Sequence, residues 1–136
     1  MRYLLDTHIL LWYLADPSKL KKAVNKLLRD TDNEIYFSAV SIQEIAIKRR
    51  LDRDDYAFEP RIIADVAQNE VGFLPLSVTI EHSSCYYELP KVKHRDPFDL
   101  MLMAQAIYEG MVLVTNDEAI LTQFIDLPEY LLSNRG

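Results

Sequence analysis

Short apolar runs alternate with amphipathic stretches along the chain. Arg2-Tyr3-Leu4-Leu5 is mostly apolar and stops at Asp6, the pattern of a buried parallel strand with an acid at its carboxyl end. Thr7 to Ala15 reads as a helix, which Asp16-Pro17-Ser18 breaks. Ser18 then stands where it would cap a basic amphipathic helix with Leu20, Val24, Leu27 and Leu28 on one face. After a turn at Thr31-Asp32-Asn33, the β-formers of Glu34-Ile35-Tyr36-Phe37 predict a second strand. A third helix opens at Ser38 or Ser41 and runs to Arg50, with Ser41 and Glu44 at capping-box spacing. The charged stretch Leu51 to Glu59 predicts a loop. Pro60 begins a helix through Asn69 that Gly72 stops. Phe73-Leu74-Pro75-Leu76 predicts a short strand whose proline suits a sheet edge. Val78 to Tyr87 predicts a helix, and Leu89 to Arg95 a basic loop.

The stretch from His94 to Ala106 is the most informative. Asp96 is a good N-cap, Pro97 suits the first helical position, and Asp99 falls where a capping-box acid would sit. The apolar run that follows is nearly unbroken, so this helix should be buried on most sides, and Gly110 ends it. Met111 to Thr115 predicts a buried strand with Asn116-Asp117 at its end. Glu118 to Phe124 predicts a short helix, and Tyr130-Leu131-Leu132 a last edge strand. Strands alternating with helices indicate an α/β sandwich around a mainly parallel sheet. Ligands bind such sheets beyond the carboxyl ends of the strands. Asp6 and Asp117 belong at that edge, Glu44 follows the second strand, and the Asp96–Asp99 helix start is expected nearby.

Length and composition narrow the reading. A chain of 136 residues suits one domain with a real hydrophobic core, and 49% apolar residues make it globular rather than disordered. No apolar run approaches a membrane span, and Asp6 comes too early for the apolar segment of a signal peptide. The single cysteine, Cys85, excludes an internal disulfide and a cysteine metal site, and a cytoplasmic protein is expected. The net charge of −6 argues against a passive nucleic-acid binder. It leaves room for a nuclease, whose acidic site meets phosphate through a cation.

If Asp6, Glu44, Asp99 and Asp117 converge, their mutual repulsion calls for a hard divalent cation. Magnesium takes oxygen ligands and keeps several waters, and manganese accepts similar ligands. Zinc is disfavoured, because His8, His82 and His94 are scattered. A cation so held activates water and stabilises charge on a phosphoryl oxygen, which points to phosphodiester hydrolysis. Thr7, Thr115 and Asn116 could orient a carboxylate or a water, or simply cap helices. His8 could touch a substrate or pack. Lys48, Arg49 and Arg50 could meet a nucleic-acid backbone, or only suit the dipole at a helix end. The chain has no Gly-rich phosphate loop and no nucleophile elbow, and Cys85 has no partner that would make it a nucleophile. A receiver-type phospho-acceptor domain also places acids at strand ends. It requires a lysine after a late strand, where this chain has Thr115-Asn116-Asp117.

The stretches YLLDTHILLWYL, SAVSIQEIAIK, HRDPFDLMLMAQA and LVTNDEAI span nearly the whole chain in that order. In them the sequence resembles the PIN-domain ribonucleases, and among these the VapC-type toxins of prokaryotic toxin–antitoxin pairs. The resemblance implies a PIN-like three-layer α/β/α sandwich and a magnesium-dependent endoribonuclease. It puts the family's four acids on Asp6, Glu44, Asp99 and Asp117, with Asp6 and Asp99 as the main metal ligands. Glu44 would ligate or orient water, and Asp117 would complete the site. Asp96 is an added acid of the DPFD pattern, either ligand or cap, and Asn116 competes with Asp117 for the metal-facing place. The implied target is single-stranded RNA or an exposed loop of a structured RNA. The implied partners are a VapB-like antitoxin and a second copy in a homodimer. Leu11, Trp12, Leu14, Leu20, Val24 and Leu27 offer a groove for an antitoxin helix, or else belong to the core. The other reading is a PIN-like module that binds RNA or protein without cutting, against which the full set of acids argues.

Overall fold

The computed structural model describes residues 1–93 and 96–135. His94 and Arg95, at the end of the expected basic loop, lie outside the described residues. The strands are β1 (Arg2–Leu5), β2 (Glu34–Ser38), β3 (Leu74–Leu76), β4 (Val112–Thr115) and β5 (Leu131–Ser133). They form one sheet in the order β3-β2-β1-β4-β5, and every pairing is parallel. The two short strands predicted for edges are the edges. The helices are α1 (Thr7–Ala15), α2 (Lys22–Arg29), α3 (Ala39–Arg50), α4 (Pro60–Asp65), α5 (Ile80–Glu88), α6 (Pro97–Glu109) and α7 (Glu118–Gln123). None of them is long and apolar enough to cross a membrane.

The two-residue period of the strands builds two cores. Leu5, Phe37 and Val114 join Ile9 and Leu10 of α1, Val24 and Leu28 of α2, and Ile45 of α3. Leu4 and Leu113, one residue out of phase, join Leu102, Met103 and Ala106 of α6 and Ile120 of α7. Helices thus cover both faces of a parallel sheet, giving the expected α/β/α sandwich. From β1 the chain builds β2 and β3 to one side, then crosses to place β4 and β5 on the other. The strand order reverses between β1 and β4, and ligands of such sheets sit beyond the carboxyl ends at that point.

Several local expectations give way to tertiary contacts. Ser18 does not cap α2. It lies in a 3-10 turn, Pro17–Lys19, with its hydroxyl on Asp16, and α2 starts after Lys21, whose N–H donates to Asn134 Oδ1 at 2.8 Å. The capping box at Ser41 and Glu44 is not formed either. Ser38 caps α3, its Oγ accepting from the Val40 N–H at 3.0 Å, which moves Glu44 inward to the second turn. The Leu51–Glu59 loop contains a 3-10 turn, Asp54–Tyr56, that buries Tyr56. The Pro60 helix widens into a π-turn, Val66–Val71, before Gly72 ends it at φ 89°. Leu11, Leu20 and Val24 are buried in the core, while Trp12, Leu14 and Leu27 are half-buried.

Candidate functional site

Asp6 follows β1 and Thr115 closes β4, so the two meet where the strand order reverses. The Thr115 hydroxyl donates to Asp6 Oδ2 at 2.6 Å, and its oxygen accepts from the Asp117 N–H at 3.0 Å. The Asp6 N–H continues the sheet pairing onto the Val114 carbonyl at 2.9 Å, fixing the residue to the floor of the rim. Asp6 is 4% exposed. Burial pushes its carboxyl up to about 6, against the opposing Thr115 hydrogen bond and the His8 charge, with Glu44 adding to the rise.

Asp99 enters the same region from the head of α6. Asp96 caps that helix, its Oδ1 accepting from the N–H groups of Phe98 at 2.9 Å and Asp99 at 3.3 Å. Pro97 takes the first position, where no N–H is needed. Asp99 is 8% exposed. Burial, and then the charges of Asp6, Asp96, Asp117 and Glu44, push its carboxyl up to about 8. Acids from distant parts of the chain therefore act on one carboxyl. Asp117 caps α7 through the Ile120 N–H at 3.1 Å. Asn116 turns aside, its Oδ1 accepting from Asn134 Nδ2 at 3.1 Å.

Glu44 is 3% exposed, with its carboxylate enclosed by donors. The Thr7 hydroxyl donates to Oε1 at 2.6 Å and also lies 2.9 Å from Ser41 Oγ. Tyr56 Oη donates to Oε2 at 3.0 Å, and the Lys48 ammonium pairs with the same oxygen. Tyr56 is the residue sequence reasoning missed. An aromatic followed by Phe58 in a charged run was its only signal. Burial and the Glu44 carboxylate push its phenol above the usual range, so it remains a donor. Lys48 Nζ lies 4.6 Å from the centre of the Tyr56 ring and 5.8 Å from that of Phe98. Lys48 is half-buried while Arg49 and Arg50 are exposed, which splits the basic trio. His8 packs between Trp12 and Tyr56, with ring centres 5.6 and 5.4 Å away.

Other candidates lie apart from these contacts. His82 is buried, its Nδ1 accepting from the Thr79 N–H at 3.1 Å and its Nε2 2.7 Å from Glu109 Oε2. Burial and Glu88 push the Cys85 thiol up, which does not suit a nucleophile. Among the described residues no three His, Cys, Asp or Glu side chains are gathered closely enough to hold an ion among them. The pair Asp6 and Asp99 offers oxygen donors whose anionic forms are disfavoured by burial and by other carboxylates. Magnesium takes one or two carboxylates and completes its shell with waters, so this donor set fits it.

A PIN domain model matches residues 3–124. Ribonuclease VapC22 of Mycobacterium tuberculosis is 27% identical over 117 residues, which cover 86% of this chain and 88% of that protein. Two solved structures align over nearly the full length. One is VapBC2 from Rickettsia felis bound to a DNA fragment from its promoter, with TM-score 0.67 and 19% identity over 98% of both chains. The other is VapBC-1 from nontypeable Haemophilus influenzae, with TM-score 0.67 and 18% identity over 100% of both chains.

Proposed function

The chain belongs to the PIN domain family, and from that premise we propose that it is a magnesium-dependent endoribonuclease, the toxin of a VapBC-like toxin–antitoxin pair. The observation that carries the reading is the placement of Asp6 and Asp99, two buried carboxylates at one rim whose ionised forms need a compensating cation. These two hold the ion, and Asp117 completes the acid set from the head of α7. Thr115 fixes the Asp6 carboxylate in place, and Thr7 fixes Glu44 behind it. Such an ion, when bound, lowers the pKa of a water and offsets charge on phosphoryl oxygens. Manganese serves the same donor set.

The substrate is single-stranded RNA or an exposed RNA loop, whose splayed backbone reaches a shallow rim. Arg49 and Arg50, exposed at the end of α3, contact that backbone. The silencing partner is a VapB-like antitoxin, a reading supported by relatives solved as VapBC assemblies. A cavity of about 400 Å³ lined in part by His8, Trp12, Lys19 and Phe58 offers it a foothold along α1. The active toxin is a homodimer.

The test is cleavage of single-stranded RNA by purified protein with magnesium, with manganese, or with EDTA. Cleavage is expected only with a divalent cation, and Asp6→Asn or Asp99→Asn should slow it by about a hundredfold or more. Undiminished cutting by both variants, or equal cutting in EDTA, overturns the reading.

A further inference from the structure

We propose that Glu44 is not a ligand of the cation but a positioning residue that anchors Lys48, whose ammonium receives the RNA phosphodiester beside Asp99. The inference rests on the ribonuclease reading and assigns parts within its site. A carboxylate offers about four acceptor positions. In Glu44 three are taken, by Thr7 on Oε1 and by Tyr56 and Lys48 on Oε2. Oε2 is full. A divalent ion on this carboxylate would share it with an ammonium, and like charges at that spacing repel.

What the Glu44 carboxylate does hold is a cation of fixed position. Lys48 is one helical turn along α3, and its side chain is only 19% exposed. Glu44 and Tyr56 take two of its three N–H donors. The faces of Tyr56 and Phe98 bound the ammonium, and Phe98 immediately precedes Asp99. The ammonium therefore stands at the seam between α3 and the head of α6, at a rim otherwise lined by acids. A phosphodiester approaching Asp6 and Asp99 meets their repulsion first. A held ammonium offsets it as a point charge, which is how lysine binds phosphate.

Crystals of the full chain soaked in manganese chloride test the first half through the anomalous signal. Manganese is expected within about 2.3 Å of Asp6 and Asp99 oxygens, with Glu44 still on Lys48 and more than about 3 Å from the ion. A manganese–Glu44 bond overturns the inference and leaves the ribonuclease reading standing. No manganese at Asp6 or Asp99 overturns both. Kinetics test the second half. Lys48→Met should raise KM for a single-stranded RNA about fivefold or more, by a larger factor than it lowers kcat, and Lys48→Arg should recover most of the loss. Glu44→Gln should raise KM likewise while the manganese Kd stays within about threefold of wild type. An unchanged KM in Lys48→Met, or a weakened manganese Kd in Glu44→Gln, overturns the inference. If Glu44→Gln does not fold, the soaked crystal and the Lys48 variants decide the matter.

Discussion

One hydroxyl ties two strand ends together. Thr115 donates to Asp6 and accepts from the Asp117 N–H, so the acid after β1 and the head of α7 depend on the same atom. Thr115→Val keeps the branching and deletes both bonds. Leaving the buried Asp6 oxygen without its donor should cost about 1–3 kcal/mol in urea unfolding, and Thr115→Ser should restore most of it. The Asp6 carboxyl, already pushed up to about 6, should move further up, because this bond is the largest influence holding it down. Titration of the Asp6 carboxyl carbon by NMR would show the direction. Asp6, Asp99 and Asp117 are legible in the sequence because each marks the end or start of an element, and parallel topology gathers such ends at one rim. The roles of Glu44 and Tyr56 are not legible in this way. Glu44 has a local partner at the right spacing in Ser41, but Ser38 wins the cap, helped by its hydrogen bond to Gln105 Oε1 at 2.6 Å, 67 residues away. Tyr56 sits in a run with no period, and its burial follows from what α3 presents to it.

At the scale of elements, helix starts divide into those a local cap sets and those a distant residue sets. The head of α6 is local. Asp96, Pro97 and the apolar run after them specify it, and the structure begins the helix where the residues say. Asp96→Ala should therefore cost about 1 kcal/mol of stability, while Asp96→Asn, which still caps, should cost only a few tenths. Chemical denaturation of the two variants separates the cap from the charge. The Asn variant also removes one of the charges that raise Asp99, so the Asp99 carboxyl should fall toward its ordinary value. The start of α2 is set at a distance. Its Lys21 N–H is met by Asn134, whose Nδ2 also reaches the Lys19 carbonyl at 3.1 Å. No rule of spacing joins residues more than 110 positions apart, and Ser18 looked like a cap only because it was the nearest hydroxyl. The strands were easier to read. Their apolar runs are short and need no partner to announce them.

For the whole molecule the question is how a fold of net charge −6 carries a buried acidic rim. In the metal-free protein Asp99 sits at about 8 and Asp6 at about 6, both above the ordinary carboxyl value near 3.8 that they regain on unfolding. Between those values the folded state binds more protons than the unfolded one, so stability falls as pH rises. The contribution is complete below about pH 4, declines through the Asp6 range, and is lost once pH passes that of Asp99. In EDTA the melting temperature should therefore drop between about pH 5 and pH 8. Asp99→Asn cannot ionise, so it should flatten most of that drop and melt above wild type at the alkaline end by about 4 °C or more. Magnesium binds the ionised carboxylates, so its stabilising shift should grow with pH by mass action and shrink sharply in Asp99→Asn. A wild-type melting temperature that is flat across this range in EDTA and indifferent to millimolar magnesium would mean that the rim is no cation site. The ribonuclease reading would then lose its physical basis.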